Sequence, residues 1–323
     1  MNILITSVGK RVSLIRAFKK ELKCIYPKGK IFAVDLEPTL SSACYVADAF
    51  FEVPRITKNN YIASLLDICI ENHITLVIPT IDTELLLLAE NEKLFLASGI
   101  QIVISSVDLI LRCRNKHKIH EFFKEHHIEI AKEYTKENYE LPLFLKPIDG
   151  SRSVDTFTIL KKEDLNAYHL NHPKLMFLEY IDHHDYDEYT CDLYYDKQHT
   201  LKCIVPRKRI EVRDGEVNKG LTERNEIVAY IKERLSFVKG ARGCLTAQFF
   251  KHKNSDRIVG IEINPRFGGG FPLTYLSGAN YVKWIIDEYL FDRNITEQFD
   301  CWESNLLMLR YDDEILIHDF KHQ

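Results

Sequence analysis

The stretch VGIEINPRFGGGFP, residues 259–272, starts as an apolar strand and ends as a glycine-rich turn. Between the two it places Glu262, Asn264 and Arg266 two residues apart. Strand side chains alternate faces, so Glu262 and Asn264 share one face while Ile261 and Ile263 take the other, toward the core. The preceding strand pattern, CLTAQFFK (244–251), sets Gln248 between Ala247 and Phe249. If these two strands pair, Gln248, Glu262 and Asn264 converge. One carboxylate and two amide oxygens are hard ligands of the kind Mg²⁺ takes, its shell being completed by phosphate and water. Arg266 offers a planar fork for a phosphate or acyl phosphate. Glycines 268–270, Gly269 among them, let the backbone approach a ligand closely. Polar residues on a solvated edge strand would explain Glu262 alone, but explain the combination poorly.

Working toward the N-terminus, residues 141–210 read as strands that follow one another directly: 141–147, 155–160, 175–181, 188–196 and 200–210, with a helix near 162–170. Consecutive strands imply an antiparallel sheet and an α+β domain. A helix over 222–237 precedes the pair 244–251 and 257–264, and helices near 272–277 and 280–291 follow. Residues 1–105 differ. Strands at 2–8, 30–35, 49–53, 75–80 and 100–105 alternate with helices, which predicts a parallel sheet with ligands at its carboxyl ends. The turn after the first strand holds only Gly9 and no GxGxxG, so Asp35, placed where a ribose acid would sit, does not make a nicotinamide site. A helical hinge spans 106–126, and a last strand covers 305–311. The expected domains are 1–108, a Rossmann-like parallel-sheet unit; 109–291, with a lid over about 115–180; and 292–323, an extension packed on the second domain.

The 323 residues are 46% hydrophobic and 28% charged with a net charge of −4, an ordinary soluble balance that argues against nucleic-acid binding by bulk charge. No apolar run is long enough to span a bilayer, and the N-terminus lacks a signal-peptide core. Eight cysteines stand singly, without a CxxC pair, and read as reduced thiols in a cytoplasmic protein.

Two lysines extend the first motif. Lys146 ends the apolar run LFLKP, where a buried ammonium is costly unless an anion meets it. Lys116 opens a helix in RNKHK. The turn DGSRSV (149–154), with Ser151 and Ser153, supplies hydroxyls and amides that could cover phosphates, and 147–160 is the candidate lid. FLEYI (177–181) sets Glu179 and Tyr180 in an apolar hinge before Ile181, with Glu188 further on.

Taken in order, these features resemble the ATP-grasp superfamily: the lysine of RNKHK, the lysine of LFLKP, a Gly/Ser loop, FLEYI with a later Glu, then TAQFF and GIEINPRFGGG. The nearest branch is similar to the synthetase domains of the carbamoyl phosphate synthase large subunit, which PRKRIEVRDGEVNKG (206–220) also resembles. The resemblance implies an ATP-dependent carboxylate–amine ligase working through an acyl phosphate. Lys116 and Lys146 would contact ATP phosphates, with Ser151 and Ser153 in the covering loop. Glu179, Tyr180 and Ile181 would line the adenine pocket, with Glu188 on the ribose. Gln248, Glu262 and Asn264 would hold two Mg²⁺ ions, with Mn²⁺ as a substitute. Arg266, with Lys146, would steady the transferred phosphoryl group.

The loop GSRSVD departs from a run of glycines, and a single grasp unit does not suffice for carbamoyl phosphate synthesis. Carboxyphosphate formation and ATP-binding regulation without ligation are the alternatives. Substrates would be a small carboxylate and an amine, and a homodimer is allowed for. Arg207, Arg209 and Arg213 flank the turn at Asp214; one of them could anchor a substrate carboxylate, or all could form a solvated basic hairpin. Asp82 and Glu84 of TIDTE could bind an amine, although N-capping explains Asp82 equally well. The histidine pairs 126–127 and 183–184 are set aside as zinc ligands, since strand neighbours face opposite ways. His117 and His120 read as helix surface.

Overall fold

The computed structural model describes residues 1–149, 154–213 and 215–320. Ser151, Ser153 and Asp214 lie outside the described residues. The chain divides into two compact units, one of residues 1–104, 280–295 and 308–323, the other of residues 105–279 and 296–307.

The first unit is built on a parallel five-stranded sheet in the order β3-β2-β1-β4-β5. Its strands are β1 (Asn2–Thr6), β2 (Lys30–Asp35), β3 (Ala49–Glu52), β4 (Ile74–Ile78) and β5 (Gln101–Ile102). Helices α1 (Val12–Ile25), α2 (Tyr61–Glu71), α3 (Asp82–Glu90) and α4 (Glu92–Ala97) connect them. Fully apolar runs such as Ile3–Leu4–Ile5 are buried on both sides, as a covered parallel sheet requires. The order reverses between β1 and β4, which makes the crevice beyond their carboxyl ends the switch point of the sheet.

The second unit opens with α5 (Val107–Arg114) and α6 (Lys116–Glu125). Two very short strands, β6 (Glu129–Ile130) and β7 (Glu133–Tyr134), were not legible as a pattern. Then come β8 (Leu143–Pro147), β9 (Phe157–Ile159), α7 (Ala167–Asn171) and β10 (Leu175–Glu179), which with β7 make a four-stranded sheet in the order β7-β10-β8-β9. The long strands β11 (Tyr186–Tyr195), β12 (Leu201–Arg213), β13 (Glu216–Thr222), β14 (Gly243–His252) and β15 (Ile258–Asn264), with α8 (Glu226–Arg234) before β14, form most of the larger, seven-stranded sheet, where they run in the order β13-β12-β11-β14-β15-β6. One face of it carries Tyr189, Cys191, Leu193, Leu245, Ala247, Phe249 and Ile263 into an apolar core shared with Phe122 and Phe123 of α6 and Ile227 and Ile231 of α8. The other, more polar face carries Glu188, Asp192, Gln248 and Glu262 beside Tyr194 and Val205. Helix α9 (Phe271–Leu276) follows the glycine turn.

Several boundaries differ from the sequence reading. The helix expected over 222–237 is shorter because β13 occupies residues up to Thr222. The strand expected over 305–311 shrinks to Leu307–Leu309. Helix α10 (Tyr281–Phe291) belongs to the first unit rather than to the expected 109–291 domain. Its buried Tyr281, Val282, Ile285 and Ile286 face α1 and β4, and Gln101 Nε2 donates to Tyr289 O. Residues 308–320 also belong with the first unit.

Candidate active site

The site grows from the register of β14 and β15. Gln248 lies opposite Glu262, and Thr246 opposite Asn264, on the polar face of the larger sheet. Gln248 Nε2 donates to Glu262 Oε1 at 3.0 Å, and Asn264 Nδ2 donates to the same oxygen at 2.8 Å. The amides therefore converge on one carboxylate, which is half-buried. Ile263 takes the core side, whereas a register shift after Gln248 leaves Ile261 half-buried.

Lys146 projects from β8 and Lys116 from the first turn of α6, and each is almost fully buried. Burial pushes the Lys146 ammonium down to about 8, Glu262 opposes that drop, and the neighbouring Lys116 adds to it. Lys116 is likewise lowered by burial, against the pull of Glu262 and Asp149. A carboxylate ringed by amides thus balances two buried cations, an arrangement of low stability and high affinity for anions. The backbone N–H of Lys116 donates to Ile148 O at 3.0 Å, which fixes the start of α6 against the end of β8.

A second acid, Glu188 of β11, lies on the same polar face. Burial raises its pKa, Arg209 and His183 counter the rise, and Glu262 adds to it. Arg209 Nε lies 3.3 Å from Glu188 Oε1 without forming a well-directed hydrogen bond. Arg266 Nη1 donates to Phe267 O at 3.2 Å. A Cβ on Gly269 would stand 2.7 Å from Glu216 Cδ, so the glycine allows a close approach of backbone and carboxylate.

The hinge residues have committed side chains. Glu179 is half-buried, yet Arg257 grips both its oxygens at 2.9 and 3.0 Å and holds the carboxyl below its usual range against the effect of burial. Ile181 packs with Tyr186 and Val259, and Tyr180 N–H donates to Pro142 O. The Glu179 N–H likewise donates to Lys132 O at 2.8 Å, so these two backbone donors are engaged as well.

Three sequence expectations need correction. Arg207 is 1% exposed and bound in the fork of fully buried Asp192, with both contacts at 3.0 Å. Thr274 Oγ1 also donates to Asp192 at 2.6 Å. Arg207 is thus committed to Asp192, which also holds α9 through Thr274, and Arg213 lies at the exposed end of β12. Glu84 is fully buried and accepts from Thr80 N at 2.8 Å, Ile81 N at 3.2 Å, Ser7 Oγ at 2.9 Å and Tyr61 Oη at 3.1 Å, so it shapes the β1–β4 switch point and has no oxygen to spare for an amine. Asp82 is the first residue of α3. His120 is buried, not on the helix surface, and meets Glu133 at 2.5 Å. Glu133, Asp192 and Arg257 escaped the sequence reading because their partners lie on other elements: α6 for Glu133, β12 and α9 for Asp192, and β10 for Arg257.

A parallel-sheet unit followed by a unit of two β-sheets is consistent with an ATP-grasp fold and the domain that precedes it. The sequence model of the PylC-like N-terminal domain matches residues 3–103. That of ATP-grasp in the biosynthetic pathway with Ter operon matches residues 171–306. Residues 171–306 therefore match an ATP-grasp family, and the fold is an ATP-grasp fold preceded by a parallel-sheet domain. No curated protein matches its sequence. Among solved structures, biotin carboxylase from Campylobacter jejuni in a β-γ-ATP complex is 13% identical with a TM-score of 0.70, covering 95% of this chain and 74% of that one. The biotin carboxylase domain of Hydrogenobacter thermophilus 2-oxoglutarate carboxylase, solved as a dimer with MgADP, ADP and bicarbonate, is 16% identical with a TM-score of 0.70, covering 94% and 73%. N5-carboxyaminoimidazole synthetase from Staphylococcus aureus with ADP is 16% identical with a TM-score of 0.68, covering 95% and 79%. At such identities the likeness is one of fold. No helix among the described residues is long and apolar enough to cross a membrane.

Proposed function

We propose that the protein is an ATP- and Mg²⁺-dependent carboxylate–amine ligase. The observation that carries this reading is the pair of buried ammonium groups, Lys116 and Lys146, whose charge is balanced by Glu262. Polyanionic phosphate placed among them would relieve a standing electrostatic cost. Lys116 and Lys146 bind phosphate oxygens, Arg266 neutralises the phosphoryl group in transfer, and the backbone of residues 179–181 meets the adenine edge. Glu188, partnered by Arg209, takes the ribose hydroxyls, and Arg209 also stands close enough to the polar face to orient a substrate carboxylate.

The residue types fit a divalent cation: one carboxylate and two amides, whose N–H groups here turn to Glu262, would offer an incomplete oxygen set once the amides rotate, of the kind that phosphate completes. Glu262, Gln248 and Asn264 would hold it, and bound Mg²⁺ would supply charge neutralisation of the phosphates. The reaction runs in two steps. A substrate carboxylate oxygen attacks the γ-phosphorus and ADP leaves; an amine then attacks the acyl carbon, loses a proton and expels inorganic phosphate as the amide forms. The chain's part is positioning and electrostatics, with water excluded from the acyl phosphate. We place the substrates as small molecules, the protein in the cytoplasm, and a homodimer within the range of assemblies.

A second reading, carboxyphosphate formation from bicarbonate, is favoured by the structural relatives, one of them solved with bicarbonate. ADP release is measured with a panel of carboxylates, with and without hydroxylamine. Hydroxamate formed from an organic acid supports ligation. ADP release that answers only to bicarbonate supports the second reading, and no ADP with any acid sinks both.

A further inference from the structure

His117 and His120 sit one helical turn apart on α6, the helix that begins at Lys116. Both turn Nδ1 to a single carboxylate, Glu133 of β7. His120 Nδ1 lies 2.5 Å from Oε1 and His117 Nδ1 lies 3.1 Å from Oε2. An ionised carboxylate only accepts, so each imidazole carries its proton on Nδ1. The His120 side chain is 2% exposed, that of Glu133 27% and that of His117 47%. The stronger of the two contacts is therefore the buried one.

The position of Glu133 gives this contact a use. Glu133 is opposite Leu178 of β10, Leu178 is opposite Phe144 of β8, and Met176, two residues before Leu178, is opposite Lys146. Side-chain alternation places Glu133 and Lys146 on the same face of the four-stranded sheet. Glu133 thus joins the sheet that carries one lysine to the helix that carries the other. A backbone bond, from Lys116 N to Ile148 O, also joins these parts. A buried histidine–carboxylate contact is a poor source of stability compared with apolar packing, but it fixes register and orientation.

We propose that Glu133 is a positioning residue for the phosphate-binding pair: by holding His117 and His120 it sets α6, and with it Lys116, at the distance from Lys146 that one triphosphate can bridge. The proposal rests on the reading of these lysines as phosphate ligands. Loss of the carboxylate leaves both lysines present but their spacing loose. Nucleotide affinity then falls, while the chemistry of an already bound nucleotide changes little.

The test uses the full chain with Glu133→Gln and Glu133→Asp. Mg-ATP binding is titrated by calorimetry, ADP release gives KM and kcat, and thermal unfolding checks the fold. Glu133→Gln should weaken Mg-ATP binding and raise its KM by about tenfold, the scale of one charge-assisted bond, with kcat changed by less than about threefold. Glu133→Asp should recover most of the affinity. His117→Ala, at the exposed contact, should have a smaller effect. Wild-type affinity in a Glu133→Gln protein of lowered melting temperature would make Glu133 a structural residue and overturn the proposal. A fall in kcat with KM unchanged would overturn it as well. Should the wild-type chain bind no Mg-ATP at all, the assignment of the lysines to phosphate fails and the proposal falls with it, an outcome distinct from failure of the variants alone.

Discussion

Replacing Lys146 with methionine should make the ligand-free protein more stable. Lys146 as a residue is 8% exposed, and burial brings its pKa from 10.5 to about 8. At 1.36 kcal/mol per pKa unit, that difference corresponds to about 3 kcal/mol of stability forgone at neutral pH. The sign follows from proton counts. Between about 8 and 10.5 the unfolded chain holds a proton that the native chain has lost, so wild-type stability rises with pH across that window. Below 8 both states are protonated and the full cost stands. Lys146→Met removes the charge, keeps the length, and faces Met176 across the strand pair. Urea unfolding at pH 7 should show a gain of up to about 3 kcal/mol, and the advantage should shrink as pH climbs toward 10.5. The same variant should lose nucleotide binding, the usual exchange of activity for stability at a charged site. A less stable variant at pH 7, or a difference that does not vary with pH, would refute the claim that this lysine is held at electrostatic cost.

Glu262→Gln should lower ADP release by at least roughly a hundredfold, with a melting temperature near wild type, because the side chain is only half-buried; full activity would remove it from the cation site. Asp192→Asn strands the Arg207 guanidinium in the interior and should cost about 3–5 kcal/mol in urea unfolding, whereas replacing both partners by apolar residues should cost far less. Gly270→Ala sets a Cβ 2.1 Å from Arg207 Nη1 and should lower stability by about 1–3 kcal/mol; a neutral result would show that the guanidinium can move aside. Removal of divalent cations with a chelator should abolish ADP release, and Mg²⁺ or Mn²⁺ should restore it.

Sequence alone settled whatever depends on short-range alternation. The parallel unit was visible in its evenly spaced apolar runs, and the acid–amide cluster in the two-residue spacing of Glu262 and Asn264. Gln248 joined them because consecutive strands pair. The isolated charge in LFLKP marked Lys146 as a cation in need of an anion. Tertiary structure decided what depends on partners far away in the chain. Arg207 and Arg209 share a strand face and look alike in sequence, yet Asp192 and Thr274 bury the first, while the second lies beside Glu188. His120 resembled surface until a two-residue strand, too short to show a period, brought Glu133 to it. Helix α10 reads as a continuation of the second unit but packs on α1 of the first. Periodicity tells which face of an element is apolar; the element it packs against is set by the closure of the whole chain.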